Sequence, residues 1–388
     1  MDFQLNDEQQ FLRQTVREFA ERELAPKAKE VDENARIPDS TWQRMAEAGL
    51  MGLPFAEEYG GAGVDAISAA LAVEEIARCC GSTALSYAAH VGLGSAPIAM
   101  FGSEEQKQKF LRPAAEGKYL GAFGLTEPHA GSDAGSTRTT AHREGGEWVI
   151  NGAKMWITNA ADSGHLIATA VTDKNKGKRG ISAIIIPRGT PGVEFGKPEH
   201  KMGLRGSSTH AISFDNVRVP AENLLGNEGE GFVQFLKVLD GGRISIGAMS
   251  IGLGVAAMEA ATAYARERRA FGQAIGAYQS ISNMLADMAT ELDAGRLLIL
   301  RAAWLKDQGR PFTNEAAMAK LYASEASERA CRNAIQIFGG YGYSAEYPVE
   351  RLYRDTRLLT IGEGTSEILR LVISRSMLGN LDQGKAKG

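Results

Sequence analysis

The sequence predicts a multidomain α+β protein with three parts: an N-terminal helical domain, a small central antiparallel β-barrel or sandwich, and a C-terminal antiparallel four-helix bundle. Apolar residues recur at helical spacing at both ends of the chain, whereas the middle consists of short β-branched runs separated by turn residues. The chain of 388 residues also exceeds what one average core needs. We therefore predict domains at residues 1–118, 119–228 and 229–388.

The first domain is predicted to contain only helices. A first helix at residues 7–31 has Asn6 as its candidate cap. Further segments of helical spacing follow at residues 39–48, 67–78, 83–100 and 104–116. The glycine-rich loop at residues 54–64 lacks a flanking strand and a P-loop lysine, so we do not expect it to bind phosphate.

The central domain is predicted from short β-branched runs at residues 123–126, 136–143, 147–150, 166–171, 181–186 and 212–219. Helical spacing then returns in long segments that are polar on one face and rich in Ala, Met, Leu and Ile on the other, which is typical of an antiparallel bundle. These segments lie at residues 232–269, 280–307, 314–338 and after Glu363. Residues 383–388 are predicted to be disordered.

Composition excludes several classes of protein. The formal net charge is -4 and no basic block occurs, which argues against nucleic-acid binding. Cys79, Cys80 and Cys331 show no metal-binding spacing and are expected to be buried thiols in a reducing compartment. The N-terminus lacks the regions of a signal peptide, and no uninterrupted apolar run approaches a bilayer span. We expect a soluble intracellular protein.

The most unusual acidic residue is Glu363, because it lies between Gly362 and Gly364. Glycines permit backbone angles that other residues avoid and leave the backbone uncovered, so a flat ligand could approach closely here. Thr365 and the residues after it fit the opening turn of a helix. The simpler interpretation is that Glu363 only stabilises this helix start by its charge.

Four other segments combine special backbone residues with groups suited to an aromatic, phosphate-bearing ligand. They are residues 123–133, with hydroxyls at Thr126 and Ser132; residues 154–159, where Trp156 and Thr158 share one face of a strand; the arginine-rich residues 266–272, followed by Gln279; and the glycine-rich residues 336–343. Each has an ordinary explanation when taken alone: a turn, a core tryptophan, a solvated helix end and a helix stop.

Other chemistries find little support in the sequence. The six histidines form no metal-binding pair on a helix face, and no Gly-x-Ser-x-Gly motif occurs. The glycine fingerprint of Rossmann folds is also missing, so a flavin or nucleotide would need a different binding site.

Together, the five segments resemble the acyl-CoA dehydrogenase family. The matching motifs, in order, are Leu-Thr-Glu-Pro-x-Ala-Gly-Ser-Asp, Lys-Met-Trp-Ile-Thr-Asn, Arg-x-x-Phe-Gly with a downstream Gln, Gln-x-Phe-Gly-Gly-x-Gly and Glu-Gly-Thr-Ser-Glu. The match spans nearly the whole chain. The resemblance implies FAD-dependent α,β-dehydrogenation of an acyl-CoA thioester to the trans-2-enoyl-CoA, with electrons passed to electron transfer flavoprotein.

The resemblance also implies roles for individual residues, and no metal site. Glu363 would be the catalytic base at Cα, with flavin N5 accepting the Cβ hydride. The residues matching FAD-binding positions are Phe123, Leu125, Thr126, Ser132, Trp156, Ile157, Thr158, Arg268, Phe271, Gln279, Gln336, Gly339, Gly340, Thr365 and Glu367. Those matching substrate-binding positions are Ser132, Asp240, Arg243 and Gly364. Some family members carry their base at the position of Gly242 instead, and the glycine here supports Glu363.

Partners and location follow from the same resemblance. It implies a homotetramer, as a dimer of dimers with FAD sites shared across subunits, in the bacterial cytoplasm or, for a eukaryotic chain, the mitochondrial matrix. Straight short to medium acyl chains are the first expectation for the substrate and branched short chains the second. The alternatives are an acyl-CoA oxidase, whose C-terminal region is usually longer, and a non-catalytic helical acyl-CoA-binding protein.

Overall fold

A computed structural model describes residues 4–379, and the predicted order of helices, strands and helices is confirmed. The predicted disorder at residues 383–388 concerns positions outside this described range. The N-terminal helices are α1 (Asp7–Glu23), α2 (Ala28–Glu33), α3 (Asp39–Glu47), α4 (Ala66–Cys79), α5 (Gly81–Ala88), α6 (Ala96–Phe101), α7 (Glu104–Gln106) and α8 (Arg112–Ala115).

Asn6 caps α1 as predicted, since its side chain accepts a hydrogen bond from the Gln9 N–H at 2.8 Å while the Gln9 side chain accepts one from the Asn6 N–H. The single helix predicted at residues 7–31 is wrong, because a 3₁₀ turn at Ala25–Lys27 separates α1 from α2. Pro26 explains this break, since proline has no N–H with which to continue an α-helix.

The predicted helix at residues 83–100 also differs, because a π-helical turn at Ala89–Ser95 separates α5 from α6. This turn brings the backbone of Gly94 against that of Gly121, where a Cβ on Gly94 would lie 2.3 Å from the Gly121 carbonyl carbon. The contact attaches the helical region to the first strand of the β region.

The central strands are β1 (Leu120–Gly124), β2 (Thr140–Glu144), β3 (Glu147–Thr158), β4 (Ser163–Val171), β5 (Ile181–Pro187), β6 (Val193–Phe195) and β7 (Thr209–Pro220). They form one seven-stranded sheet in the order β1-β4-β2-β3-β7-β6, with β5 paired to β4. Antiparallel pairs predominate as expected, but β1 pairs with β4 in parallel, and so does one residue of β2. β1 enters directly from the helical region, so no hairpin requires it to run antiparallel to its neighbour.

The C-terminal elements are α9 (Gly231–Glu267), the two-residue strands β8 (Arg269–Ala270) and β9 (Gln273–Ala274), α10 (Gln279–Asp307), α11 (Thr313–Phe338), α12 (Val349–Thr356) and α13 (Ser366–Leu378). The long helices α9, α10 and α11 pack against one another, and α12 and α13 pack on α11. One hydrophobic core joins α9, α10, α11 and α12 to α1 and α4, whereas the β region has a core of its own.

α9 lies at the centre of this arrangement and also packs against α4. It is the one helix among residues 4–379 that is long and apolar enough, by length and composition alone, to cross a membrane, with a mean hydropathy of 1.6 over its most apolar window. We expected no uninterrupted apolar run to approach a bilayer span, and α9 corrects this expectation. Since 72% of that window is buried inside the protein, the apolar residues of α9 are those of a core helix.

The three cysteines are free. Cys80 and Cys331 are buried as expected, whereas Cys79 is only partly buried. Between residues 4 and 379, no group of three or more His, Cys, Asp or Glu side chains is placed to hold a metal ion.

Candidate active site

Glu363 lies in the short loop between the 3₁₀ turn Arg357–Thr360 and α13. Thr365 is the N-cap of α13, and its hydroxyl accepts a hydrogen bond from the Ile368 N–H at 3.3 Å. The Glu363 carboxylate therefore is not needed to accept the capping hydrogen bond of α13.

The backbone at Glu363 is strained. Its φ is 53°, in the left-handed region that residues with a Cβ rarely adopt, and Gly364 follows with a φ of 100°. Gly362, by contrast, does not have a positive φ, so only the second of the two flanking glycines is required for its backbone angles. Strain of this kind persists where the surrounding structure holds it, and it clusters at functional sites.

The Glu363 carboxylate points into the protein toward α9. Part of the residue is exposed, but its Oε2 is shielded from solvent and has no hydrogen-bond partner among the described residues. Gly242 provides the necessary space, because a Cβ at that position would lie 2.0 Å from Oε2. Such an atom is free to accept a hydrogen bond or a proton from a bound molecule.

Burial raises the pKa of Glu363 to about 7, and the positive charges of Lys320 and Arg243 limit this rise. Arg243 lies on α9 and donates a hydrogen bond from Nη1 to Asp240 Oδ1 at 2.7 Å, while its Nε is buried without a partner. Burial lowers the pKa of the Arg243 guanidinium, and the charges of Asp240 and Glu363 oppose this. The structure thus brings together three of the predicted residues around Glu363: Asp240, Arg243 and Gly364.

Lys320 is a residue of this site that sequence reasoning missed. Its side chain is fully buried in the middle of α11, and its Nζ donates a hydrogen bond to the Gly364 carbonyl oxygen at 2.7 Å. A signal existed in the sequence, since this lysine interrupts an alanine-rich apolar face on which Ala316, Ala319 and Ala323 are all buried.

A second group of predicted residues meets on the β region. The register of β3 against β7 shifts between Lys154 and Ile157, and Trp156 in this bulge has a φ of 62°. Its indole is 55% exposed, while Ile157 is buried, so only the backbone of Ile157 could contact a ligand. The Met155 N–H donates to the Thr126 carbonyl oxygen at 2.8 Å, which joins the bulge to the loop after β1.

The loop that carries Thr126 and Ser132 is held by a buried ion pair. Lys154 is fully buried, and its Nζ donates to Glu127 Oε1 at 2.8 Å and to the Leu125 carbonyl oxygen at 3.2 Å. Glu127 in turn accepts hydrogen bonds from residues 137–139 farther along the same loop. Burial alone would raise the pKa of Glu127, but the charge of Lys154 holds it at about 2.

A third group lines a groove at the far end of α9. Arg268, Gly339 and Gly340 line the same groove, and the Arg268 guanidinium lies 5.6 Å from the centre of the Tyr341 ring. Phe271 is 97% exposed on the turn between β8 and β9. Two further predicted residues, Gln279 and Gln336, are also exposed.

The remaining predicted residues occupy four places. Thr365 and Glu367 line a cavity together with Arg329 and Arg332 of α11 and with Arg357 of the 3₁₀ turn after α12. Phe123 lies on β1, where it pairs with Ile167 of β4. Thr158 ends β3 beside Thr209, and Ser132 is exposed in the loop after β1.

These features fit a flavin. The exposed indole of Trp156 beside an uncovered strand bulge suits a flat aromatic ring. The loop hydroxyls and the arginines suit the phosphates of such a ligand. Across residues 4–379, no described contact joins the groove at Arg268 to the bulge at Trp156, so one chain presents two separate groups of candidate FAD-binding residues.

Family models match three consecutive stretches of the chain. The N-terminal domain of acyl-CoA dehydrogenases matches residues 6–118, the middle domain residues 122–217 and the C-terminal domain residues 229–378. These ranges cover most of the sequence in the order in which the structure arranges helices, strands and helices.

Individual proteins agree with the family models. The chain is 58% identical to a probable acyl-CoA dehydrogenase of Bacillus subtilis over 97% of this chain and 100% of the relative. It is 47% identical to a short-chain specific acyl-CoA dehydrogenase of Clostridium acetobutylicum over 96% and 99% of the two chains. A chain in a solved structure described as the electron transferring flavoprotein of Acidaminococcus fermentans is 46% identical, with a TM-score of 0.97, over 98% of this chain and 100% of that one. The chain belongs to the acyl-CoA dehydrogenase family and is an enzyme of that activity.

Proposed function

We propose that this enzyme oxidises short, straight-chain acyl-CoA thioesters to trans-2-enoyl-CoA products, with Glu363 as the base that removes the Cα proton. The observation that carries this proposal is the buried, unpartnered Oε2 of Glu363 in the space left by Gly242. The short chain length is supported by the similarity to the short-chain specific enzyme of Clostridium acetobutylicum.

Glu363 has the properties of a general base. A base works best when its pKa lies near the operating pH, and burial raises the pKa of Glu363 to about 7. Its unpartnered Oε2 requires no existing hydrogen bond to break before it accepts a proton. We expect a bound acyl chain to exclude more water from the carboxylate and to strengthen its affinity for the proton.

The same residue offers a donor for the thioester oxygen, on which negative charge develops as the Cα proton leaves. The backbone N–H of Glu363 has no hydrogen-bond partner among the described residues. The left-handed angles at Glu363 and Gly364 hold this N–H and the carboxylate in one turn. A donor fixed in advance lowers the free energy of such a transition state, as in an oxyanion hole.

When bound, FAD supplies the acceptor for the Cβ hydride. We propose that one subunit holds its flavin ring and phosphates with Phe123, Leu125, Thr126, Ser132, Trp156, Ile157, Thr158, Thr365 and Glu367. Arg268, Phe271, Gln279, Gln336, Gly339 and Gly340 would bind the FAD of a neighbouring subunit. The exposed Phe271 and the separate groove at Arg268 support a shared site, and hence the proposed homotetramer.

Asp240, Arg243, Ser132 and Gly364 are proposed to contact the substrate. We further propose electron transfer flavoprotein as the electron acceptor, because a chain in the structure described by that name shares this fold at 46% identity. A cytoplasmic location is proposed because the two curated relatives described above come from bacteria.

Replacement of Glu363 by Gln tests the assignment of the base. The variant should keep its flavin absorbance and its fold but lose turnover by about 10²–10⁴-fold, as is common when a general base is removed. Turnover is measured with butyryl-CoA and an artificial electron acceptor. Near-normal turnover in this variant would show that another group removes the proton.

A panel of acyl-CoA substrates tests the proposed chain length. We expect kcat/KM to be highest for straight short chains and to fall for octanoyl-CoA and for branched isovaleryl-CoA. A preference for a branched substrate would replace the proposed specificity while leaving the role of Glu363 in place.

The electron acceptor is tested separately. Oxygen uptake with substrate alone would favour an oxidase, whereas reduction of purified electron transfer flavoprotein would support the proposed acceptor.

A further inference from the structure

Lys320 is a fully buried lysine that contacts the loop of the proposed base. Its Nζ donates a hydrogen bond to the Gly364 carbonyl oxygen at 2.7 Å, and the described residues offer this ammonium no other hydrogen bond. An ammonium group has three donors, so a purely structural lysine would be poorly satisfied in this position. Burial of a charged group is also costly unless the charge is paired and hydrogen-bonded.

The charges around Lys320 and Glu363 are unevenly paired. Of the two cations that act on Glu363, Arg243 already forms an ion pair with Asp240, whereas no carboxylate in the described range forms an ion pair with Lys320. The charged groups that act on Lys320 come from α9, α11, α13 and the loop before it: Glu363, Arg243, Glu367 and Glu325. The Lys320 charge is therefore the cation near Glu363 that no ion pair neutralises.

Lys320 should remain protonated at neutral pH. Burial lowers its pKa to about 8, and the negative charge of Glu363 opposes this change. The lysine is therefore mostly a cation near pH 7, where the Glu363 carboxylate titrates.

We propose that Lys320 is a positioning residue for the base: its hydrogen bond to the Gly364 carbonyl holds the left-handed turn that directs the Glu363 carboxylate into the space left by Gly242, and its positive charge favours the ionised carboxylate. This inference rests on the proposed role of Glu363. It assigns two separable contributions to one side chain, a hydrogen bond and a charge.

Two substitutions separate these contributions. Lys320→Met removes both the charge and the hydrogen bond, and Lys320→Gln removes the charge but keeps an amide that can donate to the Gly364 carbonyl. In both variants the acid limb of the pH profile of kcat/KM should move to higher pH by about one pH unit, because a nearby cation lowers the pKa of a carboxylate. The plateau of kcat should fall about tenfold further in Lys320→Met than in Lys320→Gln.

Lys201 provides a matched control. Its partly buried ammonium also donates to a backbone carbonyl, that of Ser207 at 2.8 Å, but it is not among the cations that act on Glu363. Lys201→Met should therefore leave the position of the acid limb unchanged. If the acid limb moved equally in Lys201→Met and Lys320→Met, the inference would be overturned, because the shift would not depend on which lysine charge was lost.

A second measurement avoids turnover altogether. The melting temperatures of the wild type and Glu363→Gln should diverge as pH rises from about 4.5 to the pKa of Glu363 in the folded protein, and in the Lys320→Met background this divergence should continue to a higher pH and become larger. If Glu363→Gln abolishes turnover while Lys320→Met shifts neither the kinetic profile nor this divergence, the inference about Lys320 fails and the proposed function stands. If Glu363→Gln remains active, the proposed function itself fails.

Discussion

The Oε2 of Glu363 lies where a side chain on Gly242 would begin, since a Cβ at position 242 would be only 2.0 Å away. Gly242 is in the interior of α9, where glycine is less favourable than alanine by about 1 kcal/mol. The glycine at position 242 therefore makes α9 slightly less stable, and it leaves the space that the Glu363 carboxylate occupies. The two positions cannot both carry a side chain in this arrangement.

Gly242→Ala should displace the Glu363 carboxylate and lower kcat at least about tenfold, because a misplaced reacting group is costly to catalysis. FAD should remain bound, as judged by its absorbance. Gly241→Ala is the control, since a Cβ there would meet only the Nζ of Lys306 on α10, at 3.6 Å. Wild-type kcat in Gly242→Ala would show that the observed position of the carboxylate is not the active one.

The pKa of Glu363 has a consequence for stability as well as for rate. Its value in the folded protein, about 7, is raised from the ordinary 4.5, so the folded state binds the proton more tightly than the unfolded state. The stabilisation by the protonated form is complete below pH 4.5 and is lost as pH rises through 7. Since Glu363→Gln cannot ionise, it should exceed the wild type in free energy of unfolding above pH 7, by at most roughly 3 kcal/mol.

Denaturant unfolding of both proteins at pH 4.5 and pH 8.5 measures this difference. The kinetic counterpart is a fall in kcat/KM as pH decreases below about 7, because only the ionised carboxylate can accept a proton. An equal stability difference at both pH values would mean that the pKa of Glu363 is not raised by folding.

The architecture could be predicted from the sequence because periodicity reports which face of an element is buried. α1 and its cap at Asn6 followed from helical spacing and capping chemistry, and Thr365 at the start of α13 followed in the same way. Two short elements, β6 and α12, were missed. The parallel pairing of β1 with β4 depends on tertiary packing, which periodicity does not encode.

The candidate site was predicted by motif and not by geometry. Glu363 was identified because of its flanking glycines, but the left-handed angle falls on Glu363 itself and on Gly364. Lys320 was missed because its partner is a backbone carbonyl 44 positions along the chain, and a backbone oxygen leaves no trace in a sequence. Such a contact becomes visible only when α11 is placed beside the loop that precedes α13.

Removal of the buried ion pair between Lys154 and Glu127 should strongly disturb the proposed FAD site. Lys154→Met leaves a buried carboxylate without its cation, which commonly costs about 3–5 kcal/mol, and it releases the loop that carries Leu125 and Thr126. We expect a lower melting temperature and loss of FAD on dilution. The double variant Lys154→Met/Glu127→Gln should regain part of the stability, because no unpaired charge remains.

Arg218 on β7 provides the control for this pair. It forms ion pairs with Glu144 and Glu147, but all three side chains are about half exposed. Arg218→Met should therefore change the stability by no more than about 1 kcal/mol and leave FAD bound. Equal effects of Arg218→Met and Lys154→Met would contradict the proposed role of the buried pair.

The separation of Arg268 from the bulge at Trp156 leads to a prediction about assembly. If Arg268 binds the FAD of a neighbouring subunit, Arg268→Ala should weaken FAD retention without altering the fold of its own chain, because its described contact within the chain is the Tyr341 ring. Fluorescence of released FAD after gel filtration measures retention, and light scattering measures the mass of the assembly. The neighbouring Arg266 is exposed on the last turn of α9, and Arg266→Ala is the control.

Mixing two impaired variants tests the same idea more directly. Arg268→Ala supplies an intact Glu363, and Glu363→Gln supplies an intact Arg268, so a mixed assembly formed by joint refolding or co-expression should contain some sites with both wild-type residues. Activity above that of either parent is expected if FAD sites are shared between subunits. Activity no higher than the average of the two parents would place Arg268 and Glu363 at the site of a single chain.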